Sequence, residues 1–247
     1  MSKRIMTHLS RSDSVMARLV AAAGPYRLEP ELECPLFCAL ARAISHQQLH
    51  ANAANAILKR FAASCGSGDF PTPEEVLAAP QRRMRAAGFS LAKIAALKDL
   101  ARKTLEGVVP ERAGLSQFDD DAIVERITQV RGIGRWTVEM MLMFTLGRPD
   151  VLPVDDYGVR TGFRLAYGLR KMPRPRALTA FGERWRPHRT AAAWYLWRAV
   201  ELSRAGKLPA PTERIRLPRI KRRKARRKPA AARAVRPRAK TRKKPPA

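Results

Sequence analysis

Val130-Arg131-Gly132-Ile133-Gly134-Arg135-Trp136-Thr137 joins two stretches with helical apolar spacing, 119–130 and 137–146. Two glycines around one apolar residue permit a tight turn and let an anion approach the backbone closely. The helix that follows begins with unpaired N–H groups at the positive end of its dipole. Arg131 and Arg135 add side-chain charge beside it. Ordinary interhelical turns use the same glycine spacing, so the rest of the chain must decide between a plain turn and a grip on nucleic-acid phosphates. Backbone amides on phosphate would position the protein without reading bases.

The rest of the chain is strongly basic. Its 247 residues carry 49 Lys and Arg against 21 Asp and Glu, a net charge of +28. Residues 214–247 hold 17 of those cations and no acid, and removing them leaves +11 on residues 1–213. The chain therefore divides into a globular part over 1–210 and a Lys/Arg/Pro/Ala-rich tail over 211–247. With almost nothing apolar to bury, the tail reads as an extended, disordered polycation. Such a segment binds polyanions by releasing counterions, with steep salt dependence and no sequence preference. A solubilising tail, a contact with a membrane surface or a nuclear-import signal would have the same composition.

The hydrophobic fraction of 45% is that of a folded protein, which excludes global disorder. No run of about 18 apolar residues is present to cross a membrane. Three cysteines, Cys34, Cys38 and Cys65, make no disulfide framework. An intracellular protein without a membrane partner is expected.

Helical periodicity recurs through the globular part. Ser12 or Asp13 can cap a helix that Gly24-Pro25 ends; further helices fit 35–46, 50–63, 91–105, 156–167 and 190–203, and Pro73-Glu74-Glu75 opens another. Alternating strand-like runs are absent, apart from a short apolar stretch over 151–154. An all-α architecture follows. Downstream of the hairpin, Leu152-Pro153-Val154-Asp155-Asp156-Tyr157 places two carboxylates after an extended segment and before an apolar-periodic run. A helix N-cap accounts for one of them. An ionised carboxylate there could also stabilise a developing cation, as cleavage of an N-glycosidic bond requires.

The hairpin and the Pro-Asp segment together resemble the helix-hairpin-helix and Gly/Pro-Asp loop of the HhH-GPD DNA glycosylase superfamily. Ala43-Ile44-Ser45-His46-Gln47-Gln48-Leu49, Arg85-Ala86-Ala87-Gly88-Phe89-Ser90 and Arg184-Trp185-Arg186-Pro187-His188-Arg189 extend the likeness over about residues 30–203. The branch most resembled is DNA-3-methyladenine glycosylase II, in its compact form. Because the likeness begins by about residue 30, the N-terminal β-domain of larger members is not expected.

That resemblance implies two helical subdomains with the active site in the cleft between them. It also implies a monofunctional glycosylase that excises alkylated purines from double-stranded DNA, leaving an abasic site in base excision repair. Asp156 matches the catalytic position, with Asp155 the second choice. Trp136, Trp197 and Tyr157 fall at the base pocket, and cationic alkylpurines stack well on electron-rich rings. Arg131, Gly132, Ile133, Gly134 and Arg135 correspond to the DNA-backbone contact. A flipped base leaves a gap in the duplex, and Gln48 in the turn 47–49 corresponds to the wedge that fills it. Gln48 could equally be a polar residue in an interhelical turn.

Bifunctional members carry a lysine where this chain has Trp136, so no Schiff base and no lyase step are expected. An iron–sulfur cluster would need four cysteines, and no metal or cofactor is expected beyond a monovalent cation that hairpin carbonyls could hold. His46 and His50 are expected to face DNA phosphates. Trp185 and Trp194 are expected in the core, and Asp99, Asp119, Asp120 and Glu139 on solvated faces or in ion pairs. A monomer is expected, cytoplasmic and nucleoid-associated, or nuclear in a eukaryote. Two other readings remain: a glycosylase for another damaged base on the same scaffold, or a non-catalytic architectural DNA-binding protein.

Overall fold

In the computed structural model, which describes residues 2–115 and 117–211 with Ile215 and Leu217, the secondary structure is helical. The helices are α1 (Ser2–Ser12), α2 (Ser14–Ala23), α3 (Leu36–His46), α4 (Ala51–Cys65), α5 (Pro73–Ala78), α6 (Gln81–Ala87) and α7 (Leu91–Leu105). They continue with α8 (Asp120–Ile127), α9 (Arg135–Phe144), α10 (Tyr157–Ala166), α11 (Pro175–Gly182) and α12 (Arg189–Arg204). The apolar stretch 151–154 forms no strand. The basic tail lies outside the described residues, apart from its first residue, Ile215 and Leu217.

Caps set most of the boundaries. Asp13 accepts the Met16 N–H at 2.8 Å and starts α2. Thr72 and Glu75 form a reciprocal capping box at α5. Ser90 caps α7, and Asp119 caps α8 through the Ala122 N–H at 2.7 Å. The hairpin helix α9 begins at Arg135, two residues before the apolar pattern suggests, because Gly134 is already its N-cap. Helices α1, α6 and α11 escape sequence reading: they are 11, 7 and 8 residues long, and α1 is interrupted by charges throughout.

The helices pack in two groups. In one, α3 packs on α4, α7 and α9, α7 on α5 and α6, and α8 on α9; in the other, α2 lies between α1 and α12, and α12 packs along α10. A continuous apolar core runs through both. The α10–α12 contact is the closest: a Cβ on Gly162 would lie 1.8 Å from the Leu196 carbonyl oxygen. Small residues Ala191, Ala192, Ala193 and Ala199 on the buried side of α12 permit this approach. At its far end, α10 is tied down by Tyr167, whose hydroxyl donates to the Asp13 carboxylate at 3.0 Å. The two groups meet where α9 faces the N-terminus of α10.

Trp185 is fully buried, as expected, but Trp194 is only half-buried, edge-on to Tyr26 and Tyr195 with the Arg198 guanidinium over its face.

Candidate active site and nucleic-acid interface

The hairpin loop is anchored from below and braced from two sides. Val130 and Ile133 are buried, and Gly132 takes a positive φ of 78° that its neighbours could not adopt cheaply. From α7, the Asp99 carboxylate accepts the Arg131 backbone N–H at 2.8 Å and pairs with Lys103 at 2.9 Å and with Arg102. Lys103 also donates to the Gln129 carbonyl. Asp99, expected on a solvated face or in an ion pair, is thus both paired and a brace for the loop. Burial raises its pKa, but the Arg131 amide and the two cations outweigh this and hold it at about 2.

A depressed carboxylate contributes stability that is complete above its ordinary value and lost as pH falls through the depressed one. Asp99→Ala is therefore expected to cost about 2 kcal/mol near neutrality, since three donors lose a charged acceptor. The difference in thermal midpoint from the native protein should close as pH falls from about 4 to about 2, which a calorimetric series would show.

From the other side, the Gln47 amide donates to the Gly132 carbonyl at 2.9 Å. The turn carrying Gln47 is held in turn by Lys93 of α7, whose ammonium donates to the carbonyls of Ser45 at 2.7 Å and Gln47 at 2.9 Å. Next to it, Gln48 is exposed in the left-handed region at φ 57°. For a residue other than glycine that conformation is uncommon and is sustained only by surrounding constraints. The sharp reversal leaves Gln48 at the apex, with exposed Leu49 after it. His46 is half-buried and His50 exposed on either side.

Among the described residues no side chain caps α9 at Gly134, and the N–H groups of such a helix start suit an acceptor. The exposed Arg131 stands beside them. Arg135 is more constrained than its sequence position suggests, lying 3.2 Å from Asp121 and 3.7 Å from Glu139.

Glu139, expected on a solvated face or in an ion pair, is 6% exposed, and its pairing with Arg135 is loose. Burial pushes its carboxyl up to about 7; Arg135 pulls the other way, and Asp155 adds to the rise. A carboxyl raised on folding gives its full stability below the unfolded value and loses it as pH climbs to the folded one. Glu139→Gln should leave the thermal midpoint little changed near pH 4.5 and raise it progressively up to about pH 7 relative to the native protein. The i, i+4 spacing to Arg135 was visible in the sequence; the packing of this face of α9 against the core was not.

Asp156 is both an N-cap and the centre of a polar cluster. Its Oδ1 accepts the Val159 backbone N–H at 2.7 Å, which starts α10, and the Trp197 indole N–H at 2.9 Å. Its Oδ2 accepts the Trp136 indole N–H at 2.9 Å. The hairpin helix, α10 and α12 therefore converge on one carboxylate. Trp136 is 47% exposed, so the cluster is open to solvent on the hairpin side rather than sealed in the core. The Trp197 ring is half-buried and stacks on Phe144 at 5.8 Å between centroids.

Asp155 is exposed. Tyr157 is 76% exposed and stands apart from this hydrogen-bonded group. Sequence reading placed Gln47 in the wedge turn but missed its bond to the hairpin, and it missed Lys93 and Gly158. A Cβ on Gly158 would lie 2.8 Å from Trp197, and the signal was a glycine in the first turn of a helix, where it costs stability unless something must come close. Among the described residues, no group of three or more His, Cys, Asp or Glu side chains is placed to hold a metal ion. No helix of the described residues is long and apolar enough to cross a membrane.

Residues 41–187, which include the turn, the hairpin and Asp156, match the model of the HhH-GPD superfamily base excision DNA repair proteins. The chain belongs to this superfamily. Among HhH-GPD relatives, the DNA-3-methyladenine glycosylase 1 of Schizosaccharomyces pombe is 44% identical over 197 residues, covering 79% of this chain and 86% of that protein. The solved structure of a 3-methyladenine DNA glycosylase from the same yeast, in complex with abasic DNA, superposes with a TM-score of 0.72 at 42% identity. That match covers 81% of this chain and 98% of the other. A DNA-3-methyladenine glycosidase from Bacillus halodurans gives a TM-score of 0.73 at 30% identity, covering 81% of this chain and 91% of its own. The all-helical HhH-GPD fold is thus the fold of this chain.

Proposed function

We propose that the protein is a monofunctional DNA glycosylase of the 3-methyladenine type, which hydrolyses the N-glycosidic bond of an alkylated purine in duplex DNA. The observation that carries this reading is Asp156, a carboxylate at the start of a helix that accepts the N–H of the half-exposed Trp136 indole and lies next to the Gly132-Ile133-Gly134 hairpin. The yeast relative of high identity bears the name of the same activity.

In the proposed reaction the flipped nucleotide lies with its base against Trp136 and its sugar beside the carboxylate. The bond from C1′ to the base nitrogen breaks and its electron pair leaves with the base. For a base carrying an alkyl group on N3 or N7 that pair neutralises the positive ring, so bond breaking needs modest help. Asp156 stabilises the cationic sugar electrostatically. Water then bonds to C1′ and releases its proton, leaving an abasic site. Position 136 offers an indole rather than an amine, so no covalent intermediate through that residue forms.

The hairpin amides, with Gly132, Ile133 and Gly134 as the loop and Arg131 and Arg135 as charges, hold the DNA backbone. Gln48, at the apex of its turn, fills the gap. A monovalent cation between the exposed glycines and a phosphate fits the same arrangement. Tyr157, exposed beside the cleft, forms an outer wall of the pocket. A monomer suffices for one flipped base, in the cytoplasm at a bacterial nucleoid or in a eukaryotic nucleus.

Incubating the protein with methylated duplex DNA and separating the released bases tests this reading. Free 3-methyladenine and intact strands that break only on alkaline treatment are the expected products. Tight binding without base release would favour the architectural alternative. Release of oxidised bases only would favour another specificity on the same scaffold.

The basic tail serves here as a non-specific anchor that raises the local concentration of DNA. A protein ending at residue 210 should retain base release and show a shallower dependence of DNA affinity on salt concentration, because fewer counterions are displaced. An unchanged slope would remove the anchor role.

A further inference from the structure

Asp156 presents two oxygens whose lone pairs are unequally occupied. Oδ1 accepts from two donors, the Val159 amide at 2.7 Å and the Trp197 indole at 2.9 Å. Oδ2 accepts from one, the Trp136 indole at 2.9 Å. Two accepted bonds fill the in-plane sites of an oxygen; one leaves a site open. The open site lies on the oxygen held from the exposed side of the cleft.

A second observation concerns Gly158. A Cβ there would lie 2.8 Å from Trp197 Cδ1, 2.9 Å from Trp197 Nε1 and 3.1 Å from Asp156 Oδ1. The glycine thus makes room for the Trp197 N–H to reach the carboxylate. The Phe144 ring also stacks on Trp197, with centroids 5.8 Å apart.

We propose that Trp197 is a positioning residue for Asp156, seated by Gly158, and that it fixes Oδ1 so that Oδ2 alone meets the reacting sugar and water. This rests on the glycosylase reading above and deepens it. Trp197 acts here through its N–H, in addition to any role its ring has as a wall. The Trp136 N–H completes the aim of the carboxylate from the hairpin side, so that DNA engaged at the hairpin and chemistry at Asp156 share one side chain.

Trp197→Phe keeps an aromatic ring to stack on Phe144 and removes the donor. Single-turnover excision from methylated duplex is expected to slow about 10- to 100-fold, the scale of a misaimed catalytic group. Affinity for abasic-site duplex should stay within about threefold, because an abasic site presents no base to the ring at position 197 and the hairpin is unchanged. Gly158→Ala, which displaces the indole instead of shortening it, should show the same split and covers a failure of the first variant to fold.

A readout without substrate is the set of indole N–H signals in a nitrogen-15 correlation spectrum. In Asp156→Asn, the signals of Trp136 and Trp197 should move upfield as they lose a charged acceptor, while those of Trp185 and Trp194 stay. Unmoved Trp197 signals, or rate and affinity falling together in both variants, would overturn the positioning role. A native protein that releases no base would overturn the glycosylase reading instead, and the spectra would still decide whether Trp197 holds Asp156.

Discussion

Asp156→Asn is expected to reduce base release from methylated duplex by about a thousandfold while leaving DNA affinity and fold intact. At about 4 Å and an effective dielectric near 20, a carboxylate stabilises a unit positive charge by about 4 kcal/mol, which is about three orders of magnitude in rate. Asparagine retains an oxygen that can cap α10 through the Val159 N–H, so the loss reports on charge rather than on helix stability. Asp155→Asn provides the control. Its side chain is exposed and no hydrogen bond ties it to the indoles, so excision should change by no more than a few fold. Loss with Asp155→Asn alone would move the reacting carboxylate one residue upstream.

Gly162→Ala should produce the largest loss of stability from a single methyl group. The added Cβ would stand 1.8 Å from the Leu196 carbonyl oxygen and 2.6 Å from its carbon, both backbone atoms that no rotamer change can move. Relief requires α10 and α12 to separate, exposing the apolar surface around Val159, Phe163 and Ala199 to poorer packing. We expect a cost of about 3 kcal/mol or more, outweighing the gain of under about 1 kcal/mol from replacing glycine within a helix. For a domain of this size that is a fall in thermal midpoint of about 6 to 12 °C, read by calorimetry. A midpoint within about 2 °C of the native value would show that the crossing is loose enough to absorb the change. Excision by the surviving folded fraction should fall as well, since Asp156 sits at the start of the displaced helix.

Much of this arrangement was legible before any coordinates. The two glycines flanking Ile133 and the helical apolar spacing on either side suffice for an interhelical turn and the all-α class, and the Pro153-to-Asp156 segment for a helix N-cap, whereas the choice of Asp156 over Asp155 came from the resemblance. The turn and the cap are local signals that act over a few residues. The pairing of Asp156 with Trp136 and Trp197 was legible only in part. The resemblance brought the three side chains to one pocket, whereas the donation of both indole N–H groups to the carboxylate depends on the rotation of α9 and α12 about their axes. Asp99 and Gln47 were invisible as braces for the same reason: each reaches a backbone atom of the hairpin from 32 and 85 residues away. Glu139 divides the same way. The ion pair with Arg135 expected from the i, i+4 spacing is present, but α9 turns the side chain toward the interior, and it is burial that raises its carboxyl.

The Asp156 carboxylate is fastened to the backbone of α10 and to the indole N–H groups of α9 and α12, and α10 is fixed against the backbone of α12, so its aim is set by how the helices pack. The wall against which a base would stack is, by contrast, an indole nearly half open to solvent. On the proposed glycosylase reading, what the fold holds still is a point of negative charge at the sugar, and what it leaves loose is the outline of the base. A nucleotide presented to such a site is judged by how readily its base departs, more than by the shape of that base. On that reading, chemical fragility of the lesion would take over the discriminating role that a close-fitting cavity plays elsewhere, and intact purines would be spared because their bonds to the sugar hold.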